Sequence, residues 1–591
     1  MAEARKEDEI LDVAIVGGGI SGIYTGWRLL TADLQKSDKL RAWAGKNNGK
    51  LRVAVFEGSD RIGGRLLSAR SRWMPHVTCE VGGMRYVSSQ KRIKSLVENK
   101  LRLASHPQVV FDPMNIAYLR GKHLRIGELR HPMKLPYNLQ KLEADWVAIC
   151  SNNDPSGLIV RAINQLLPGT RTLSGEDVRN YLQNAKLYGT PLWEYGFWNM
   201  LARAMSSEAY QLARATVGYD ALGLNANAVD LTAEIFDFTP NVKYSLLDNG
   251  YDAVPVTLES EFSAAGGKVF KKGAWLDSFD ALDDGVVLRF RDGRKEVKAR
   301  AIVLAMPRRS IQLLRREGPV LNPSNKHVQW LLDSVQPVAL YKMFIVYPCP
   351  WWESAGVQQG RSLTDIPLRQ CYYWGVEGNQ KGADPSDKTA TIMAYNDVSS
   401  VEFWNGLRFR TGDPCSAEAE SREGVNRVGG NLTLNQRMLD RRRFERQTPP
   451  QPLRPPINAG VDLALSRSDE LATRLSENWN NHCAPHDMVM AMHRQLIELH
   501  GLASAPDPID AAYMDWSDDP FGAGVHFWNS GYKSWEILEA MTQPVDNFPC
   551  YVCGEAYSTN QTWVEGALQT SEIVLQKHFG LGPPDWLKET D

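Results

Sequence analysis

What the chain lacks narrows its function first. No apolar run approaches the eighteen or so residues that a membrane-spanning helix needs. The opening residues, Met-Ala-Glu-Ala-Arg-Lys-Glu-Asp-Glu, are charged and hold no apolar segment, so they read as no secretory signal and a cytoplasmic location is expected. Net charge is scarce as well: 67 Lys and Arg stand against 69 Asp and Glu, a formal −2, which gives no reason to expect nucleic acid or a membrane surface as a partner. Cysteine is sparse, eight in 591 residues, and only Cys550 and Cys553 are spaced as a CxxC. A zinc site would need a second such pair or two suitably spaced histidines, and the eleven histidines are dispersed, so no metal is expected. Phe548-Pro-Cys-Tyr-Val-Cys reads instead as an apolar strand with buried free thiols. Hydrophobic content of 43% and charged content of 23% are ordinary for a globular chain, and this length calls for two or three domains.

Against that plain background two sets of motifs stand out. Asp12 to Val16 is a short apolar strand that enters Gly17-x-Gly19-x-x-Gly22, and Ile23 to Leu30 continues with helical character. Gly17 allows a tight turn, Gly19 lets backbone approach a diphosphate and Gly22 lets helix and strand pack closely, while the helix N-terminus offers free N–H groups to the phosphates. The acid that should close the second strand is Glu57, at the end of Leu51–Glu57 and suited to ribose hydroxyls; it lies 35 residues past Gly22, with polar Gln35–Lys50 read as a loop insertion. NAD would satisfy this much. Arg61-Ile-Gly63-Gly64-Arg65 adds a second place where backbone and a guanidinium can reach a cofactor, and Gly554-Glu555 with Trp563-Val564 supplies groups to close over its far end. An extended cofactor, FAD, suits both sets.

With these residues in view the chain resembles the flavin amine oxidase superfamily, which holds L-amino acid oxidases and monoamine oxidases. The resemblance implies an α/β with α+β fold: a discontinuous Rossmann-like FAD-binding domain, a mixed-sheet substrate domain and a helical domain. The FAD-binding parts are placed at 10–74, 246–330 and 545–591, the substrate-binding parts at 75–129 and 335–544, and the helical domain at 130–245. Expected elements include helices at Leu139–Ile149, Leu158–Leu167, Trp193–Leu212 and Val564–Phe579, and strands at Ala274–Phe279, Val286–Phe290, Ala301–Ala305, Val338–Tyr347 and Thr389–Tyr395. Residues 405–460, with a basic run followed by Thr448-Pro-Pro-Gln-Pro-Leu-Arg-Pro-Pro456, read as a loop or linker insertion. Candidate cofactor-binding residues are Gly17, Gly19, Ile20, Ser21, Gly22, Glu57, Gly58, Arg61, Gly64, Arg65, Gly82, Gly83, Met84, Arg85, Trp275, Gly554, Glu555, Trp563 and Val564.

The resemblance also distributes substrate roles. Gly82-Gly-Met-Arg85 places Arg85 on the substrate carboxylate, which a guanidinium grips bidentately. Tyr395 gives a hydroxyl to the same carboxylate, with Tyr372 and Tyr373 as competing candidates. Lys342, a lysine inside an apolar strand that demands a polar partner or a depressed pKa, is the catalytic candidate and holds a water beside the flavin. Val525, His526, Trp528 and Trp563 line the side-chain pocket. The expected function is L-amino acid oxidase, with an L-amino acid and dioxygen as reactants and a homo-oligomer, dimer or higher, as the assembly. Gly218-Tyr-Asp-Ala-Leu222 and Gly524-Val-His-Phe resemble bacterial-type oxidases, tryptophan oxidases among them, which makes aromatic amino acids one substrate guess beside a basic or broad range. A flavin monooxygenase yielding an amide, an amine or polyamine oxidase and a non-enzymatic scaffold are the rival readings.

Overall fold

The computed structural model describes residues 10–149, 157–220, 224–237, 242–315, 317–318, 320–407 and 470–587. The strand Leu11–Val16 runs parallel to Val53–Phe56 on one side and to Val297–Leu304 on the other. Parallel strands covered on both faces read as continuous apolar runs, which is why Val13, Ala14 and Ile15 are all fully buried. Lys268–Phe270 extends this sheet beyond Val53–Phe56, and Gly285–Phe290 and Leu276–Leu282 extend it past Val297–Leu304 as antiparallel neighbours. Cys550–Val552 also pairs with Val297–Leu304. One sheet thus gathers strands from both ends and the middle of the chain.

The helix Ile20–Thr31 covers this sheet and is itself covered. Gly26 is the flat spot against Phe262, where a Cβ would stand 3.0 Å from the ring. On another side lies the helix Val564–Phe579, joined to it by a buried ion pair: Arg28 Nε donates to Glu572 at 2.8 Å and the Tyr24 hydroxyl donates to the same carboxylate at 2.7 Å. The second large sheet runs in the order Asp510–Asp515, Leu340–Tyr347, Ala390–Asp397, Gln370–Val376, Arg361–Thr364, Ile116–Leu119, Lys122–Arg125. Helices Lys141–Ala148, Gly157–Leu166, Glu176–Asn184, Phe197–Leu201, Ser207–Val217 and Ala228–Asp237 share an apolar core with Val338, Leu363 and Phe527 from the sheet side. Among the described residues no helix is long and apolar enough to cross a membrane. Cys550 and Cys553 are both buried and free, and burial pushes the Cys553 thiol up to about 11.

Several sequence expectations change. Gln35–Lys50 is no plain loop: Ser37 caps a helix over Asp38–Gly45 by accepting from Leu40 N, and Leu40 and Ala44 are buried. The helix expected over Trp193–Leu212 is broken, because Ser206 starts a new helix as its N-cap and is held there by Glu143, which accepts from both its N–H and its hydroxyl. The strand expected at Val338–Tyr347 is two elements: Val335–Val338 pairs with Val525–Trp528, and Leu340–Tyr347 joins the large sheet. The insertion read at 405–460 falls, from 408 onward, outside the described residues.

The Arg28–Glu572 pair predicts a clear stability effect. Glu572→Gln leaves a buried guanidinium short of its counter-charge and is expected to cost about 3–5 kcal/mol. Denaturant unfolding at fixed FAD concentration measures it, and a loss below about 1 kcal/mol would show that the pair does not hold the two helices together.

Candidate functional site

One cavity of about 1290 Å³ runs from the Gly17 turn to Arg361. That exceeds the ~1,000 Å³ upper end of ordinary small-ligand pockets, so it has room for an extended cofactor and a second small molecule. At one end the backbone itself is the wall. Gly17 has φ +109°, and a Cβ there would stand 2.3 Å from the Ala305 carbonyl oxygen. Gly19 and Gly64 face each other so closely that a Cβ on Gly64 would lie 3.1 Å from the Gly19 Cα. The helix Ile20–Thr31 begins here with no side-chain cap and no acid in its first turn, so its leading N–H groups and positive dipole end are left for an anion. Glu57 accepts from Gly18 N at 2.7 Å and from Ser59 N at 2.7 Å, which fixes its carboxylate beside the turn. Gly58 lies flat under Trp275. Arg61 donates to the Leu66 carbonyl at 2.9 Å and so braces the second glycine turn from within.

The cavity fits FAD. Uncapped helix donors and a glycine-lined channel suit a diphosphate, and the length of the cavity suits a dinucleotide. Gly17, Gly19, Ile20, Ser21, Glu57, Gly58, Arg61, Gly64, Arg65, Gly82, Gly83, Met84, Arg85, Trp275, Gly554, Glu555, Trp563 and Val564 all line it. Gly22 does not: it sits beneath the turn, where a Cβ would stand 2.0 Å from the Gly17 carbonyl oxygen. At the middle of the cavity Arg65 Nη1 donates to Glu555 at 2.7 Å and to the Gly524 carbonyl at 2.8 Å. Burial works against the ionisation of Glu555, but Arg65 and His526 outweigh it and hold its pKa down at about 2.

At the far end the substrate candidates converge. Lys342 is buried and donates to the carbonyls of Glu80, at 3.2 Å, and Gly82. Burial pushes its pKa down to about 7, with Arg85 adding to the effect and Glu80 opposing it. Its ammonium lies 4.9 Å from the Tyr395 ring. Arg85 stacks on Tyr244, donates to Gln108 at 2.9 Å and approaches the Tyr372 hydroxyl at 3.5 Å. Burial also opposes ionisation of Tyr372, yet Arg85 and Arg361 beside it hold its hydroxyl below the ordinary range.

Two expected pocket residues face elsewhere. Val525–Trp528 is a strand, and its alternation sends Val525 and Phe527 to the cavity and His526 and Trp528 away from it. His526 donates or accepts at Nδ1 with Glu555 at 2.7 Å, and the Trp528 indole donates to the Ser558 carbonyl at 2.9 Å. Tyr372 touches Arg85 without lining the cavity, and Tyr373 is tied to Ser362 and His500 instead. Sequence reading missed Phe527, Tyr219, Glu234, Arg361 and Asp397, all of which line the cavity. Phe527 was accessible from strand alternation; the others stand on segments that only the tertiary fold brings here.

Comparison with known proteins fits this geometry. Residues 20–406 match the family described as flavin containing amine oxidoreductase. The chain is 26% identical to aplysianin-A of Aplysia kurodai over 97% of this chain and 91% of that one, and 22% identical to an L-amino-acid oxidase of Mus musculus over 61% of this chain and 51% of that one. Among solved structures, a putrescine oxidase superposes with a TM-score of 0.58 at 14% identity, covering 96% of this chain and 99% of that chain, which shows a shared fold.

Two predictions follow from this geometry. Phe527→Ala changes the relative rates on substrates with different side chains, whereas Trp528→Phe mainly costs about 1 kcal/mol of stability through the lost indole hydrogen bond; substrate profiling and unfolding of both variants separate the two roles. Lys342→Met removes a buried cation that the fold tolerates poorly. Below about pH 7 the folded and unfolded chains both carry that proton, so the penalty is complete; it fades as pH rises toward 10.5, where the unfolded lysine also loses its charge. The melting temperature of the variant relative to the parent is therefore expected to fall as pH rises through this window, and a difference that stays flat would refute it.

Proposed function

The chain belongs to the flavin-containing amine oxidoreductases, and within that family we propose that it is an L-amino acid oxidase, converting an L-amino acid, dioxygen and water to a 2-oxo acid, ammonia and hydrogen peroxide. The observation that carries this reading is Arg85. It is a buried guanidinium at the substrate end of the cavity whose partners among the described residues are an amide, a hydroxyl and aromatic rings rather than a carboxylate. A cation in that state calls for an anion from outside, and the α-carboxylate of an amino acid supplies one. An amine or polyamine brings only positive charge to the same place. The name of the mouse relative supports the same reading.

When bound, FAD would supply the two-electron redox chemistry that links substrate oxidation to dioxygen. The chain's own residues do the rest. Uncapped N–H groups at Ile20 and Ser21 and the glycine turns would hold the diphosphate, and Glu57 would take the ribose hydroxyls. Val564 begins the helix Val564–Phe579 at the cavity wall, and its positive end favours negative charge developing against it. Arg85 and Tyr395 hold the carboxylate, which fixes the orientation of the substrate and lowers the entropic part of the barrier. Lys342, poised near neutral pH, holds or releases a proton at Nζ beside them. His526 is turned toward Glu555 and cannot act as a base on the substrate.

The test is a panel of the twenty L-amino acids under air, with peroxide and 2-oxo acid measured together. The expected result is matched yields of the two, and a drop in kcat/KM of about a hundredfold or more in Arg85→Leu. Amide and carbon dioxide in place of oxo acid would make the protein a monooxygenase. Turnover of simple amines alone, indifferent to Arg85, would overturn the carboxylate reading.

A further inference from the structure

Charge is unevenly compensated at the substrate end of the cavity. Buried arginines elsewhere have carboxylates: Arg28 has Glu572 and Arg369 has Asp220, and the half-buried Arg65 has Glu555. Two at the substrate end of the cavity have none among the described residues. Arg85 is 7% exposed and Arg361 is 5% exposed, and the hydrogen bonds each guanidinium makes go to neutral groups: Gln108 and Tyr372 for Arg85, Gln370 and the Val217 carbonyl for Arg361. The Nε of each is buried without a hydrogen-bond partner among the described residues.

The α-carboxylate of the reading above satisfies Arg85 alone. Resting on that reading, we propose that the substrate carries a second carboxylate and that this enzyme acts on acidic L-amino acids, with Arg361 receiving the side-chain carboxylate. The layout gives the direction. The Tyr395 ring is 4.9 Å from the Lys342 ammonium and 5.4 Å from the Tyr219 ring, and the Arg361 guanidinium stands 5.7 Å from the Tyr219 ring and 5.1 Å from the Phe111 ring. A side chain leading away from the reacting carbon toward Arg361 passes along Tyr219. The Tyr219 hydroxyl, 3.4 Å from that of Tyr372, belongs to a residue that lines the cavity and offers a donor to the ligand there.

Among the acids that line the cavity, Glu234 and Asp397 set the rival. Glu234 lies near Thr562 Oγ1, at 3.4 Å, and burial pushes its carboxyl up to about 7, which weakens its charge at neutral pH. Asp397 accepts the Asp220 N–H at 2.8 Å. A cationic substrate side chain would have to seek these two while avoiding Arg361.

The experiment uses the FAD-loaded enzyme with L-glutamate, L-glutamine, L-aspartate, L-asparagine, L-leucine, L-phenylalanine and L-lysine, following peroxide. The expected result is that an acid is preferred over its own amide by about ten- to a hundredfold in kcat/KM, and that Arg361→Gln collapses this ratio while Arg361→Lys keeps part of it. Binding gives a readout independent of turnover: glutarate raises the melting temperature of the parent more than butyrate does. That comparison decides the matter even when the variants fold poorly. A preference for leucine, phenylalanine or lysine, an acid-to-amide ratio untouched in Arg361→Gln, or equal shifts with glutarate and butyrate overturns the proposal and leaves the oxidase reading standing. Silence with every amino acid overturns both.

Discussion

A Cβ at Gly22 would stand 2.0 Å from the Gly17 carbonyl oxygen, and one at Gly17 would stand 2.3 Å from that of Ala305. Backbone meets backbone at this point, and the rest of the site is arranged around it. The contact lets the helix Ile20–Thr31 leave the strand Leu11–Val16 with its first N–H groups open to the cavity. It also sets how near Val297–Leu304 can come and, through that strand, where Cys550–Val552 and the following Glu555 stand. A side chain at either glycine would push apart elements that come from residues hundreds of positions away.

Around the cavity the fold deals with buried charge in two ways. Glu555 is gripped by Arg65 and His526 and stays ionised, while Arg28 and Glu572 neutralise one another between two helices. The two arginines of the far end have no carboxylate partner among the described residues, and Lys342 has only the opposing pull of Glu80; the tyrosines Tyr219, Tyr372 and Tyr395 stand around the three cations with rings and hydroxyls. Rings and hydroxyls hold a cation in place without cancelling it. Side-chain charge along the cofactor channel is thus paired within the protein, and the substrate end is left with positive charge for a ligand to meet.

Much of the first end could be read from sequence because its requirements are local. A glycine turn between a strand and a helix, and an acid at the end of the next strand, are contiguous patterns, and Gly17, Gly19 and Glu57 lie on the cavity where those patterns put them. The far end obeys no such local rule. Arg361 is one residue of a short buried strand, and only its pairing with Tyr372 across the sheet brings it near Arg85. His526 and Trp528 were misread because a motif was taken as a block when it is a strand with two faces. The helix Asp38–Gly45 was hidden by its polar composition, since just two of its residues, Leu40 and Ala44, are buried.

The pairing of Cys550–Val552 with Val297–Leu304, and of the helix Val564–Phe579 with Ile20–Thr31, has a consequence for synthesis. A ribosome adds about 5–20 residues each second, so roughly half a minute to two minutes separate the emergence of the first strand from that of the last. Throughout that interval the nascent chain holds its dinucleotide turn with one sheet edge open and the apolar flank of its first helix bare. The cofactor cannot be enclosed until Cys550–Val552 and Val564–Phe579 have emerged, which sets its capture long after the synthesis of the glycine turn that receives it.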